Sequence, residues 1–170
     1  VGYELSAADL APGKSESPKQ IMVVGGGPAG MQAALTAAEK GHDVTLYESS
    51  PDIGGQVRVA ATGAGRDKLG LLVDYYRRAL EKAGVNIRTG TEITAEMIKD
   101  IGPDVLIVAT GARPSDNPFA GNYGPPRVIS VLDILNASHP VGDRVLFIDE
   151  NGGHRSLATA EFLSDQGKKV

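Results

Sequence analysis

The chain has 170 residues, 41% of them hydrophobic and 22% charged, with a net charge of −4, enough to bury one good core or one domain with part of a second. The two signs are scattered without a basic run, which argues against a nucleic-acid partner, and neither a membrane span of ~18–20 apolar residues nor a charged-then-apolar signal pattern is present, so a cytoplasmic location is expected. There is no cysteine, which excludes disulfides, thiol catalysis and cysteine-ligated metals within these residues.

Residues 1–19 read as a linker or tail, with Pro12, Gly13, Ser15, Ser17 and Pro18 among charges and no sustained period. Gln20–Val24 is a short apolar run, expected as a buried strand. The Ala-rich stretch Pro28–Lys40 predicts a helix, closed by Gly41. Val44–Tyr47 is a second strand, and Pro51–Gly65 reads as a Gly-rich loop. In Arg66–Ala83 the offsets of Leu69, Leu72, Val73, Tyr76 and Leu80 place one apolar stripe on a helix, ended by Gly84. Val85–Arg88 is a third strand, Thr94–Ile101 a short helix with Ile98 and Ile101 inward, and Val105–Ala109 another buried strand. A Pro/Gly-rich stretch from Arg113 to Pro126 follows. Ser130 and Asp133 form a capping-box pattern for a helix ending near Ala137. Arg144–Ile148 predicts a strand and Ser156–Gln166 a helix. Strands alternating with helices imply a doubly wound α/β fold on a parallel sheet, Rossmann-like.

The most informative stretch is Gly25-Gly26-Gly27-Pro28-Ala29-Gly30. It follows a predicted strand, opens a predicted helix and has the spacing Gly-x-Gly-x-x-Gly. Gly25 permits the sharp turn, Gly27 lets backbone approach a pyrophosphate, and Gly30 lets helix and strand pack closely. The helix N-terminus offers unpaired N–H groups and the positive end of its dipole to phosphates. Glu48, at the end of the second strand, can accept hydrogen bonds from ribose hydroxyls, and its charge disfavours a 2′-phosphate there. No paired-carboxylate, Ser/His/Asp or metal-ligand constellation stands out, and no residue is put forward as catalytic.

The blocks MVVGGGPAGMQAA, HDVTLYE, IGGQ, AGR, GVNIRTGTEIT and VLIVATGARP, in this order, give the chain a resemblance to the C-terminal FAD/NAD(P)-binding region of the 2,4-dienoyl-CoA reductase/trimethylamine dehydrogenase family. It extends from about Lys19 onward. The resemblance implies that Gly25, Gly27, Pro28, Ala29 and Gly30 lie at the cofactor pyrophosphate and Glu48 at the adenosine ribose. Gly55 and Gln56 would reach the flavin or its ribityl–phosphate region, and Arg66 its phosphate or ribityl side. Ile93 would hold adenine through its backbone, and Thr110 and Gly111 would turn the chain beside the cofactor. A solvated helix-start charge is an equal reading of Arg66, and a core position is the simplest reading of Ile93.

On this resemblance, residues 20–139 form an FAD- or ADP-binding domain, and residues 140–170 begin a second dinucleotide-binding-like lobe that is incomplete. In the family's reductases this lobe opens on a second glycine fingerprint for NADPH. Here the turn reads Asp149-Glu150-Asn151-Gly152-Gly153-His154-Arg155, without that spacing and with two acids where phosphates would lie. The departure resembles the amine dehydrogenase and demethylase branch, which passes electrons to an electron-transfer flavoprotein. The chain is thus expected to be a fragment of a flavin-dependent oxidoreductase, not catalytically competent in isolation. Its partners would be a flavin barrel domain carrying FMN and a 4Fe-4S cluster, and NAD(P)H or an electron-transfer flavoprotein. Two alternatives stand beside FAD seating: a structural ADP-binding module with no flavin of its own, and an NAD-dependent dehydrogenase or non-redox Rossmann binder.

Overall fold

The computed structural model describes residues 13–112, 127–150 and 152–170. Its elements, in chain order, are β1 (Gln20–Val24), α1 (Pro28–Glu39), β2 (Asp43–Tyr47), α2 (Gly55–Ala60), a 3₁₀ turn (Asp67–Leu69), α3 (Gly70–Lys82), β3 (Asn86–Arg88), α4 (Ala95–Ile101), β4 (Val105–Val108), α5 (Val131–Leu135) and α6 (His154–Asp165). The four strands form one sheet in the order β3-β2-β1-β4, and every pairing is parallel. The expected doubly wound α/β class is what the chain adopts. After β3 the chain crosses to the other side of β1, so the strand order reverses between β1 and β4. Open α/β sheets bind ligands beyond the carboxyl ends of the strands at such a reversal.

The chain divides into two compact units, one within Val1–Gly55 and Val73–Gly111, the other within Gln56–Leu72 and Ala112–Val170. In the first, Val23 and Leu46 are wholly buried from β1 and β2, as are Met31 and Ala34 of α1 and Leu80 of α3. Full burial of each of the larger side chains among these contributes about 1.5–3 kcal/mol. The apolar run predicted for β1 reflects its central place, covered on both faces. Pro28 starts α1, where its missing N–H costs nothing. Helices α1 and α3 are followed by Gly41 (φ +88°) and Gly84 (φ +78°), left-handed conformations that favour glycine. Thr94 caps α4, its Oγ1 accepting from the Met97 N–H at 3.3 Å.

In the second unit Leu163 of α6 is fully buried, and Ile134 and Leu135 of α5 nearly so. The capping box is present: Ser130 Oγ accepts from the Asp133 N–H at 3.1 Å and donates to Asp133 Oδ2 at 2.7 Å. Ala137, with φ +52°, turns the chain out of α5, close to the expected end.

Several expectations need correction. The Pro51–Gly65 stretch contains α2, in which Gln56, Arg58 and Ala60 are able helix formers that follow the turn at Gly54-Gly55. The single helix expected over Arg66–Ala83 begins as a 3₁₀ turn and becomes α-helical at Gly70. Within its stripe Val73 and Leu80 are buried but Leu69 and Leu72 are not. No strand forms at Arg144–Ile148. A strand needs a ladder, and among the described residues this segment makes one isolated parallel bridge, Arg144 to Lys169. Helix α6 starts at His154, two residues before the predicted Ser156. Among the described residues strand β4 lies at the sheet edge, and Leu106 and Val108 are exposed on one face rather than buried. Ile101 is exposed too, because it ends α4 just before Gly102 turns the chain away. The Arg113–Pro126 stretch lies outside the described residues.

Candidate functional site

The site in the first unit is built from the carboxyl ends of its parallel strands. The Gly25–Gly30 loop leaves β1, Glu48 ends β2, residues 89–93 leave β3, and Ala109-Thr110-Gly111 leave β4. Backbone bonds stitch these ends together. The Gly25 N–H donates to the Tyr47 carbonyl at 2.8 Å, the Ala109 N–H to Val24 at 2.8 Å, the Glu48 N–H to Arg88 at 2.9 Å, and the Thr91 N–H to Glu48 at 2.9 Å.

The three fingerprint glycines have three different surroundings. Gly25 has φ +109°, and a Cβ there would overlap the Ala109 carbonyl. Gly30 lies in the first turn of α1, and a Cβ there would overlap the Gly25 carbonyl oxygen, with the carbonyl carbon at 3.0 Å and Ala109 Cβ at 3.4 Å. Close packing of α1 on β1 therefore requires glycine at this position. Gly27 differs: a Cβ on it would meet no described atom within 4 Å, and its φ is −74°. Nothing among the described residues demands a glycine at 27. What its missing side chain leaves is open space at the mouth of a helix. Among the described residues no side chain caps that helix, Ala29 is exposed, and the first turn holds no acid. Uncapped N–H groups and the positive end of the dipole make this a place for an anion.

Glu48 is 8% exposed. Its Oε2 accepts from the Gly26 N–H at 2.6 Å, and its Oε1 from the Ser50 N–H at 2.7 Å and Ser49 Oγ at 3.2 Å. Burial pushes this carboxyl up, but the backbone N–H groups of Ser50 and Gly26 and the serine side chains outweigh it. The group is held below the ordinary glutamate value and is ionised at neutral pH. Charge-assisted bonds of this kind are roughly twice as strong as neutral ones. Glu48 is thus a brace for the glycine loop as well as an acceptor with lone pairs to spare, a double role that sequence reasoning did not foresee.

Two further residues were missed. Gly26 is more than spacing: its N–H holds Glu48, and its carbonyl accepts from the Gly54 N–H at 2.8 Å. A Cβ on it would press on Glu48 and on Ile53 Cγ2 at 3.1 Å. Ile53 is fully buried and anchors the following loop. That loop brings Gly55, φ +51°, so close that a Cβ on it would lie 3.1 Å from Gly27 Cα. The GG pair at 54–55 is part of the cradle wall.

The remaining expected residues divide between the units. Ile93 is half-buried in the loop after β3, while Thr110 and Gly111 are exposed at the end of β4, Gly111 with φ +75°. Gln56 and Arg66 belong to the second unit. Gln56 Nε2 donates to the Ala112 carbonyl at 2.9 Å. Both residues line a cavity of about 220 Å³, whose other walls include Val57, Leu132, Leu135 and the buried Thr159. In the turn before α6, Asp149 Oδ1 accepts from the Gly152 N–H at 3.0 Å. Among the described residues no group of three His, Asp or Glu side chains could hold a metal, and no helix is long and apolar enough to cross a membrane.

Comparison with known proteins agrees with this fold. The sequence profile described as pyridine nucleotide-disulphide oxidoreductase matches residues 19–169. The chain is 38% identical over 169 residues to N,N-dimethylglycine/sarcosine dehydrogenase of Chromohalobacter salexigens, covering 95% of this chain and 24% of that protein. Among solved structures, a 2-naphthoyl-CoA reductase complex superposes with a TM-score of 0.85 at 39% identity, over 94% of this chain and 24% of that one. Histamine dehydrogenase from Rhizobium sp. 4-9 superposes with a TM-score of 0.79 at 27% identity, over 93% and 26%. The chain thus spans about a quarter of the length of the relatives it matches.

Proposed function

Since the chain belongs to the pyridine nucleotide-disulphide oxidoreductase family, and its relatives are 2,4-dienoyl-CoA reductase/trimethylamine-dehydrogenase-like flavoenzymes, we propose that its first unit seats the ADP half of FAD. The longer enzyme to which such a chain would contribute is a flavin-dependent oxidoreductase, as the names of its relatives suggest. The observation that carries the reading is the contrast among the three glycines. Two are required by backbone packing, while Gly27 faces open space at an uncapped helix mouth.

In this reading the Gly27, Ala29 and Gly30 backbone approaches the pyrophosphate, and Gly25 and Pro28 set the turn that delivers it. Glu48 accepts from the adenosine ribose while its other bonds keep the loop rigid. A 2′-phosphate would meet this buried anion, so NADP is rejected. Ile93 holds adenine through its backbone. Gly55, Gln56, Arg66, Thr110 and Gly111 lie toward the ribityl and flavin side, Arg66 supplying positive charge. Bound FAD would supply electron transfer, and the protein supplies position and electrostatics. Residues 20–139 form the nucleotide-binding domain of this reading, and 140–170 open a second lobe. The electrons would pass between a flavin barrel domain bearing FMN and a 4Fe-4S cluster and either NAD(P)H or an electron-transfer flavoprotein.

A second reading is favoured by Asp149. Where a second fingerprint would offer amides to NAD(P)H phosphates, the chain's own carboxylate takes the Gly152 N–H. That supports an amine-dehydrogenase-like module holding ADP without a flavin of its own, in an enzyme that uses a separate flavoprotein as acceptor. An absorption spectrum of the purified chain, with mass spectrometry of whatever it releases on denaturation, separates the readings. Flavin absorbance and the mass of FAD support the first, and ADP in a colourless protein supports the second. If the chain releases no nucleotide and binds neither ADP nor FAD in a calorimetric titration, both readings fail.

A further inference from the structure

Two consecutive residues of α3 reach the two arms of the glycine cradle, and neither belongs to the fingerprint. Tyr76 Oη donates to Gln32 Oε1 at 2.7 Å, on α1 two residues beyond Gly30. Gln32 Nε2 donates in turn to Thr36 Oγ1 at 2.9 Å. Arg77 forms an ion pair with Asp52, in the loop between Glu48 and Gly54. That loop forms one wall of the cradle, through the Gly54 N–H on the Gly26 carbonyl and Gly55 against Gly27. The opposite wall is the first turn of α1. All four side chains belong to the first unit.

We propose that α3 is a strut that sets the width of the cradle, with Tyr76 and Arg77 as positioning residues for nucleotide binding; this rests on the nucleotide-binding reading above. A diphosphate at the mouth of α1 must fit between that helix and the 52–55 loop, and each of the two, α1 at Gln32 and the loop at Asp52, is held from outside by one of two adjacent side chains on a single helix. Ile53 pins the inner side of the loop by burial, while Arg77 restrains its outer edge at Asp52. The pair is 40% and 47% exposed, so its effect is modest: loss of either tether weakens ADP binding about two- to fivefold.

The test is a calorimetric titration of ADP into the full chain, well below its unfolding transition. It compares the unaltered protein with Arg77→Gln, Tyr76→Phe, the two together, Arg77→Lys, and the charge reversal Asp52→Arg with Arg77→Asp. The strut predicts weaker binding in each of the first two, a larger loss in their combination, and partial recovery in Arg77→Lys and in the reversed pair. The Arg77→Gln deficit, taken as a ratio to the unaltered chain at the same ionic strength, shrinks as salt screens the pair. A merely structural role lowers the unfolding midpoint and leaves affinity in the folded state unchanged. Arg77→Gln and Tyr76→Phe proteins that bind ADP like the unaltered chain overturn the strut alone. No binding by the unaltered chain overturns the nucleotide reading and the strut with it.

Discussion

Gly27→Ala and Gly30→Ala are the same chemical change three residues apart, and they should fail in opposite ways. At Gly30 the new methyl overlaps the Gly25 carbonyl oxygen and presses on Ala109 Cβ. These atoms belong to strand ends held by the Gly25–Tyr47 and Ala109–Val24 hydrogen bonds, so no flexible side chain can swing aside. Overpacking costs typically 1–3 kcal/mol, and contact with fixed backbone places this site at about 3 kcal/mol. At roughly 2–4 °C per kcal/mol for a chain of this size, the melting point falls by about 6–12 °C. At Gly27 the methyl enters open space on a φ of −74° that any residue adopts. Alanine is the poorer helix N-cap, but it also reduces the entropy of the unfolded chain by a comparable amount, about 0.4–1 kcal/mol. Stability therefore changes by no more than about 0.5 kcal/mol. The methyl stands where the pyrophosphate must approach, so ADP affinity drops at least about tenfold, or 1.4 kcal/mol. Urea unfolding and calorimetric titration on the two variants decide it. If Gly27→Ala unfolds as early as Gly30→Ala, or binds ADP as tightly as the unaltered chain, the assignment of structural and ligand-facing glycines is wrong.

Glu48→Gln removes a buried charge that accepts from Gly26 and Ser50, and should destabilise the chain by about 1.5–3 kcal/mol at pH 7. The Glu48 carboxyl is depressed in the folded state, so the stability it adds is complete above its unfolded value and is lost as pH falls through the folded one. Urea midpoints measured from pH 7 down to pH 3 should therefore converge for the two proteins at the acid end, and a constant gap refutes the argument. Ile53→Ala, at a fully buried position, should cost about 2–5 kcal/mol and increase hydrogen exchange at the Gly54 amide, which it holds against Gly26. Ser130→Ala removes the cap of α5 and should cost about 1 kcal/mol, read as a shift of the urea midpoint without a change in slope.

The glycine spacing was legible because two of its members answer short-range facts: Gly25 takes a turn at φ +109°, and Gly30 approaches the Gly25 carbonyl five residues away. Glu48 was legible as an acid at a strand end, but its bond to Gly26 was not, because that bond spans 22 positions and depends on β1 and β2 pairing in register. Ile53 looked like a loop residue because burial of an isolated side chain leaves no period. Helix α2 escaped for a related reason: six residues are too few to show an apolar face, and Gly54 before it and Gly55 at its start read as punctuation. The segment at 144–148, an apolar run from 145 onward, shows the opposite error. Its composition suits a strand, yet a strand exists only where a neighbour offers a ladder, and among the described residues it has one bridge. Leu106 and Val108 were taken as buried because their run is apolar, whereas exposure depends on whether another layer covers the face of β4 on which they stand.

The parallel arrangement of the strands also makes the first unit easy to label. Every loop of the candidate site leaves a carboxyl end, whereas the exposed Lys40 and Lys82 end helices that lead back to the opposite edge. A five-residue strand separates the two edges by roughly 16 Å. These 170 residues contain no cysteine, so Lys40→Cys or Lys82→Cys would introduce a unique thiol on the far side of the sheet. A fluorophore or surface tether attached there leaves the glycine loop untouched, so nucleotide capture could be followed on single immobilised molecules.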